Sequence, residues 1–229
     1  MKEFLLGLLL SLPALLLALS VHECAHGYVA YKMGDYTAKY SGRLSLNPLR
    51  HLDPVGAFCL LVFHFGWAKP VPINPNNFKN RRKGVILVSL AGPASNFVMA
   101  ILSALVLGIV GKLLGIESVF GLFNVSGYFM TAGLSQVTGL YVLLPMLYYC
   151  VILNIGLMAF NLIPIPPLDG SRVLLELLPY RARNVFYSVE RYSFLILILL
   201  LGTGVLSPVM SFMSQWVFTV IEWILNPIF

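Results

Sequence analysis

The chain has 229 residues, 59% of them hydrophobic and 10% charged, with a mean hydropathy of +0.86. This balance excludes an ordinary soluble domain, and several apolar runs of about 20 residues are long enough to cross a hydrocarbon core of about 30 Å. The net charge of +6 would suggest nucleic acid as a partner in a soluble protein. Here the basic residues fall in blocks between apolar runs, which marks cytoplasmic loops and points to a lipid bilayer as the partner, with no nucleic acid.

The first run, residues 4–31, follows Lys2 with a Leu-rich stretch, as a signal peptide would. It is too long for one, and cleavage would strand the polar residues it carries. Those residues are His22, Glu23 and His26, in the HExxH pattern. A helix turns once per about 3.6 residues, so the two imidazoles stack on one face with Glu23 beside them. Two neutral imidazoles at this spacing bind zinc, and a Glu held next to the metal without ligating it takes a proton from water. Ionisable groups in a spanning helix cost on the order of 2.5 kcal/mol or more at its centre and are retained for function, which favours a metal site over a chance pair. His22 precedes Lys32, the next basic residue, by ten positions, about 15 Å of helix, so the metal is expected beneath the membrane surface. Pro13 is expected to bend this run. Cys24, Cys59 and Cys150 lie in apolar surroundings and read as buried thiols rather than a disulfide framework.

Lys32, Lys39, Arg43, Arg50, Lys69, Lys79 and 81–83 crowd the segment after the first run, and Arg172, Arg181, Arg183 and Arg191 follow the third. By the positive-inside rule these segments face the cytoplasm, so the HExxH lies toward the cytoplasmic end of its helix. Residues 34–83 are rich in Gly, Pro and Asn, with strand-like runs at 40–46, 57–65 and 71–73. The middle run, AFCLLVFHF, is too short to span and too apolar for an ordinary loop. It reads as one arm of a re-entrant or interfacial β-hairpin over the metal cavity. His51 and His64 read as interfacial histidines, with a channel role as the alternative.

The second span is expected at 84–111. Its small-residue patch, AGPASN, lets another helix approach closely. Asn96 in this patch reads first as a helix-to-helix hydrogen-bonding residue and second as a cavity residue in contact with substrate. Residues 112–138 read as an outer loop. The third span, 139–163, ends in NLIPIPPLDG, where Pro164, Pro166 and Pro167 forbid regular helix. Unwound backbone at membrane depth is tolerated only where it lines a protein-buried cavity. A short helix at 171–178 and two apolar runs, 192–206 and 209–228, complete a chain with no internal repeat. The fold class expected is an all-α polytopic membrane protein of about 4–6 membrane helices with a small re-entrant or interfacial β element between the first two. It is expected to be one domain over 1–229, with a core at about 4–178.

A catalytic zinc takes three protein ligands and keeps one position open. Among the acidic residues, Glu3 and Glu117 fall on the outer side, Asp35 and Asp53 in the basic loop, and Glu190 beside Arg191, with Glu222 remote from the cytoplasmic end. Asp169 is the leading third ligand, on non-helical backbone with Gly170 allowing a sharp turn. The competing role for Asp169 is a cap on the helix from Ser171, and Glu176 is the alternative ligand.

HECAH in an early apolar helix, GPASN in the next and NLIPIPPLDG at the end of a later one together resemble the site-2 protease family of intramembrane zinc metalloproteases. The chain is similar to its compact prokaryotic members, which have neither a PDZ nor a CBS domain. The resemblance covers residues 5–178. It implies one Zn²⁺ per chain held by His22, His26 and Asp169, with Glu23 as general base. It also implies that Asn161 helps hold the substrate backbone or the developing oxyanion, and that a β element lies near the site. The expected activity is hydrolysis of peptide bonds in or near membrane segments of single-span or other membrane proteins, at the cytoplasmic side of the cell membrane. An unwound substrate segment is expected to add as a strand along 57–65. The rival readings are a membrane zinc transporter, an inactive protease-like scaffold and a zincin with Glu as its third ligand. Nothing in the sequence specifies an oligomeric state.

Overall fold

The computed structural model describes residues 2–63, 66–113 and 139–226, so His64 and most of the expected outer loop lie outside the described residues. The helices are α1 (Lys2–Lys32), α2 (Thr37–Tyr40), α3 (Pro54–Phe63), α4 (Arg81–Leu113), α5 (Gly139–Leu162), α6 (Asp169–Leu177), α7 (Tyr180–Glu190), α8 (Ser193–Gly202) and α9 (Ser207–Leu225). Among the described residues, four stretches are long and apolar enough to cross a membrane: Gly7–Lys32, Arg81–Leu113, Leu143–Leu162 and Ser207–Leu225. The pair α7 and α8, bent by 72°, makes a fifth if taken as one span. The apolar run expected at 192–206 is therefore not a straight span. Its helix covers ten residues, and the chain turns after it at Gly204, with φ 70°.

Helices α1, α4 and α5 pack against one another, and α9 packs on α5 and α4. Lipid tails are as apolar as Leu, so burial alone drives little association inside a bilayer, and small residues that admit close approach decide the contacts. Ala14, Ala18 and Ala30 of α1 and Gly92, Ala100 and Ala104 of α4 are all buried accordingly. Val217, Ile221 and Leu225 of α9 close one core with Leu107 of α4 and Val151, Ile155 and Met158 of α5.

The expected β element is not what forms. Residues 54–63 are the helix α3, and among the described residues there is no sheet, only an isolated bridge between Leu52 and Ala68. The physical reason is local. Asp53 Oδ1 accepts hydrogen bonds from the backbone N–H groups of Val55 and Gly56 at 2.9 Å each, and Pro54 occupies the first helical position, where its missing N–H costs nothing. A strand-addition edge at 57–65 is thereby withdrawn.

The connection between α1 and α4 is stitched by two charged side chains. The buried Asp35 carboxylate accepts from the Thr37 hydroxyl and N–H, the Asn74 N–H and the Asn77 amide. Burial alone would raise its pKa, but these donors outweigh it and hold the carboxyl below the usual carboxylate range. The Arg43 guanidinium donates to the carbonyls of Arg50, Lys69 and Pro70, tying 43–50 to the extended segment that starts near 66. His51 is buried and donates from Nε2 to the Ser45 carbonyl at 2.7 Å, a second staple in the same loop and not part of the cavity wall.

Candidate metal centre

His22 and His26 are held on α1 by the facing helix α4. The Nδ1–H of His26 donates to the Val88 carbonyl at 2.7 Å; a carbonyl only accepts, so Nδ1 carries the proton and Nε2 presents its lone pair. Nδ1 of His22 lies 2.5 Å from Oδ1 of Asn96 and donates to it. The two Nε2 atoms come within 3.0 Å of each other, and both imidazoles are buried.

The third corner comes from the far end of the chain. Oδ2 of Asp169 lies 3.2 Å from Nε2 of His22 and 3.1 Å from Nε2 of His26. Asp169 is the first residue of α6 and does not cap it; Leu168 holds the cap position without a side-chain bond. The chain reaches this point through the unwound 163–168 segment and turns at Gly170, where a Cβ would run into the Leu162 carbonyl. Glu176 does not join the cluster. It is buried and faces Arg183, with Oε2 3.6 Å from Nη2.

These residues fit a zinc ion. Three tetrahedral ligands about 2.0–2.1 Å from zinc sit roughly 3.3–3.4 Å apart, close to the observed triangle of 3.0, 3.1 and 3.2 Å. Asp169 Oδ2 is buried without a hydrogen-bond partner, an expensive state for a carboxylate oxygen that a cation relieves. The space beside the imidazoles is kept open by Gly92, where a Cβ would come within 2.5 Å of His26 Nε2 and of His22 Cε1. Among the described residues, this is the one cluster of its kind.

A cavity of about 450 Å³ opens onto the triangle, within the range of small-molecule and peptide sites. Glu23 and Asn161 line it with His22, His26 and Asp169, and the segment Trp67, Ala68, Pro70 and Val71 forms one wall. Oε2 of Glu23 accepts a 3.1 Å hydrogen bond from the Val71 N–H. Asn161 donates from Nδ2 to the Leu157 carbonyl at 2.9 Å, one turn back on α5. Asn96 is fully buried, lies away from the cavity wall and bridges helices, so its placement offers no contact with substrate. The Val88 carbonyl and the Val71 N–H were not singled out in the sequence, and Gly92 was read only as part of the small-residue AGPASN patch that admits another helix. Gly92 had a signal: it precedes Asn96 by one helical turn, so a glycine and an amide face the HExxH helix together.

The profile of peptidase family M50 matches residues 11–203. The chain is 39% identical over 201 residues to the "Putative zinc metalloprotease YwhC" of Bacillus subtilis, covering 86% of this chain and 84% of that protein. It is 28% identical over 214 residues to the "Putative zinc metalloprotease Rip2" of Mycolicibacterium smegmatis, covering 91% of this chain and 70% of the relative. The chain is 27% identical over 164 residues to the "Zinc metalloprotease MJ0392" of Methanocaldococcus jannaschii, which is 72% of this chain and 33% of that longer protein. No solved structure matches the chain.

Proposed function

The chain belongs to peptidase family M50, the site-2 protease family, and from that premise we propose that it is a zinc metalloprotease acting on other membrane proteins. Its substrates are single-span or other membrane proteins, cut in or near their membrane segments, and the site faces the cytoplasmic side of the cell membrane. In this reading His22, His26 and Asp169 hold one Zn²⁺ and leave a fourth position for water or substrate. Bound there, zinc supplies the Lewis acidity that makes water a nucleophile near neutral pH and polarises a carbonyl.

The remaining steps belong to the chain's own groups. Glu23 is the general base. The Val71 N–H engages Oε2, which leaves Oε1 to accept a proton from water and return it to the leaving nitrogen. Asn161 carries a second amide N–H beyond the one given to Leu157, and it donates that hydrogen to substrate backbone or to the developing oxyanion. The cytoplasmic orientation rests on the exposed basic run Lys79 to Lys83 at the start of α4, on the same side as Lys32 at the end of α1.

The observation that carries this reading is the convergence of three ligand-type atoms from α1 and α6 at a cavity that Glu23 also borders. A zinc carrier would need further ligand clusters along a path, and among the described residues no second one exists. The test compares membrane proteomes of cells making the wild-type chain and its Glu23→Gln form. Single-span proteins that accumulate uncut in the variant are expected. Identical proteomes, together with zinc uptake by liposomes holding the purified chain, would overturn the proposal in favour of a carrier.

A further inference from the structure

Asn154 sits in the middle of α5, 1% exposed, an amide among Val151, Ile155 and Met158 at membrane depth. An unsatisfied polar group there costs several kcal/mol, on the order of a lost hydrogen bond or more, so each of its polar atoms should find a partner. They do. Asn154 donates from Nδ2 to the Cys150 carbonyl at 2.7 Å, and its Oδ1 accepts from Asn96 Nδ2 at 2.8 Å. Asn96, 0% exposed, gives a longer 3.3 Å bond from the same nitrogen to the Ala18 carbonyl, and its Oδ1 accepts from His22 Nδ1.

This chain of bonds has one possible direction. The Cys150 carbonyl has no hydrogen, so it must receive the Asn154 NH₂ group. Asn154 then turns its oxygen to Asn96, which turns its NH₂ to Asn154 and its oxygen to His22. An imidazole facing an acceptor at Nδ1 carries its proton there and keeps the Nε2 lone pair free. Reversing Asn96 would place NH₂ against His22 Nδ1 and move the ring proton to Nε2, the atom that faces Asp169 and His26.

We infer that Asn154 is a positioning residue of the metal centre: as the shorter-bonded of the two acceptors that hold the Asn96 NH₂, with the Ala18 carbonyl as the longer one, it keeps the Asn96 oxygen on His22 Nδ1 and so keeps His22 Nε2 able to ligate. His26 has no such dependence, because a backbone carbonyl fixes its tautomer directly. The inference rests on the proposed metal site, which it extends from the ligands on α1 and α6 to a third helix.

The test measures zinc affinity of the full chain in detergent by competition with a chromophoric chelator. Asn154→Leu removes the oxygen facing Asn96 and is expected to weaken zinc binding about ten-fold, the lower end of what loss of a ligand-orienting partner costs. Asn154→Asp keeps an oxygen toward Asn96 whether the carboxyl is ionised or neutral, so it is expected to stay within about three-fold of wild type. In an Asn96→Asp background, whose carboxylate accepts from His22 whichever way it turns, Asn154→Leu should add little. Size-exclusion profile and helix content identify any variant that fails to fold, and Asn154→Ala, which also lacks the oxygen, then takes the place of the leucine variant in both comparisons. A folded Asn154→Leu protein that binds zinc as tightly as wild type overturns the relay, as does an Asn154→Asp protein that is no better than Asn154→Leu. A wild-type chain that binds no zinc overturns instead the metal site itself.

Discussion

Val71 gives its backbone N–H to Glu23 across 48 positions of sequence, at 3.1 Å, on one oxygen of the carboxylate. The donor is held from behind, because Arg43 ties down the carbonyls of Lys69 and Pro70 just before it. Glu23 is thus aimed by loop backbone as well as by its own helix. Val71→Pro removes that N–H between two existing prolines, Pro70 and Pro72, at little conformational cost. We expect about ten-fold slower peptide cleavage with zinc content unchanged. Unaltered cleavage would mean that the bond does not orient the base.

Replacing Glu23 by Gln removes the proposed proton acceptor and keeps the shape. Cleavage should fall by about 10²–10⁴-fold, the usual worth of a general base, while metal analysis of the purified protein still finds one zinc per chain. Loss of zinc in step with activity would instead make Glu23 a ligand.

Asp169→Ala should lose both zinc and activity. Glu176→Gln should keep both, because Glu176 faces Arg183 and not the imidazoles. Its cost is stability, about 1 kcal/mol for a weakened, partly solvated ion pair, read as a lower unfolding temperature in detergent. Retained zinc in Asp169→Ala would reopen the choice of third ligand.

Gly92→Ala places a methyl group against both imidazoles. Overpacking of this kind costs about 1–3 kcal/mol. If it falls on the metal-bound state, zinc affinity drops roughly 5- to 150-fold. Gly156→Ala on α5 is the control, since nothing lies within 4 Å of the added carbon; it should bind zinc normally.

The Asp35 staple makes stability depend on pH. Its folded pKa lies below the ordinary 3.8, so the ionised carboxylate's contribution is complete above 3.8 and is lost as pH falls through the depressed folded value. Asp35→Asn should lower stability by about 1.5–3 kcal/mol at neutral pH, the range for hydrogen bonds to a charged group. The gap in unfolding temperature should hold from pH 7 to 5 and narrow below 3.8. A gap that persists in acid would assign the effect to shape rather than charge.

The residues that converge at the candidate metal centre were legible in the sequence because each broke a local expectation. His22, Glu23 and His26 interrupt an apolar helix at a spacing that helix geometry converts into one face, and Asp169 is an acid on a proline-rich bend beside a span. The helix at 54–63 was misread because a short run of Phe, Leu and Val suits strand and helix alike. Asp53-Pro54 ahead of it decides the matter through a cap, a two-residue signal that lies outside the nine-residue apolar stretch itself. Asn154 was not legible for another reason. Its significance comes from where α4 and α5 cross α1, and a crossing point is a tertiary fact that neither periodicity nor composition encodes.

The two imidazoles and the Asp169 carboxylate come from stretches separated by more than half the chain, and they close to within 3.2 Å. An ion seated among them is a cross-link between the first helix and the bend after α5. The bundle's resistance to unfolding should then rise by about 1.4 kcal/mol for each ten-fold increase in free zinc above the dissociation constant. Cellular zinc supply would in this way set the lifetime of the protein as well as its turnover.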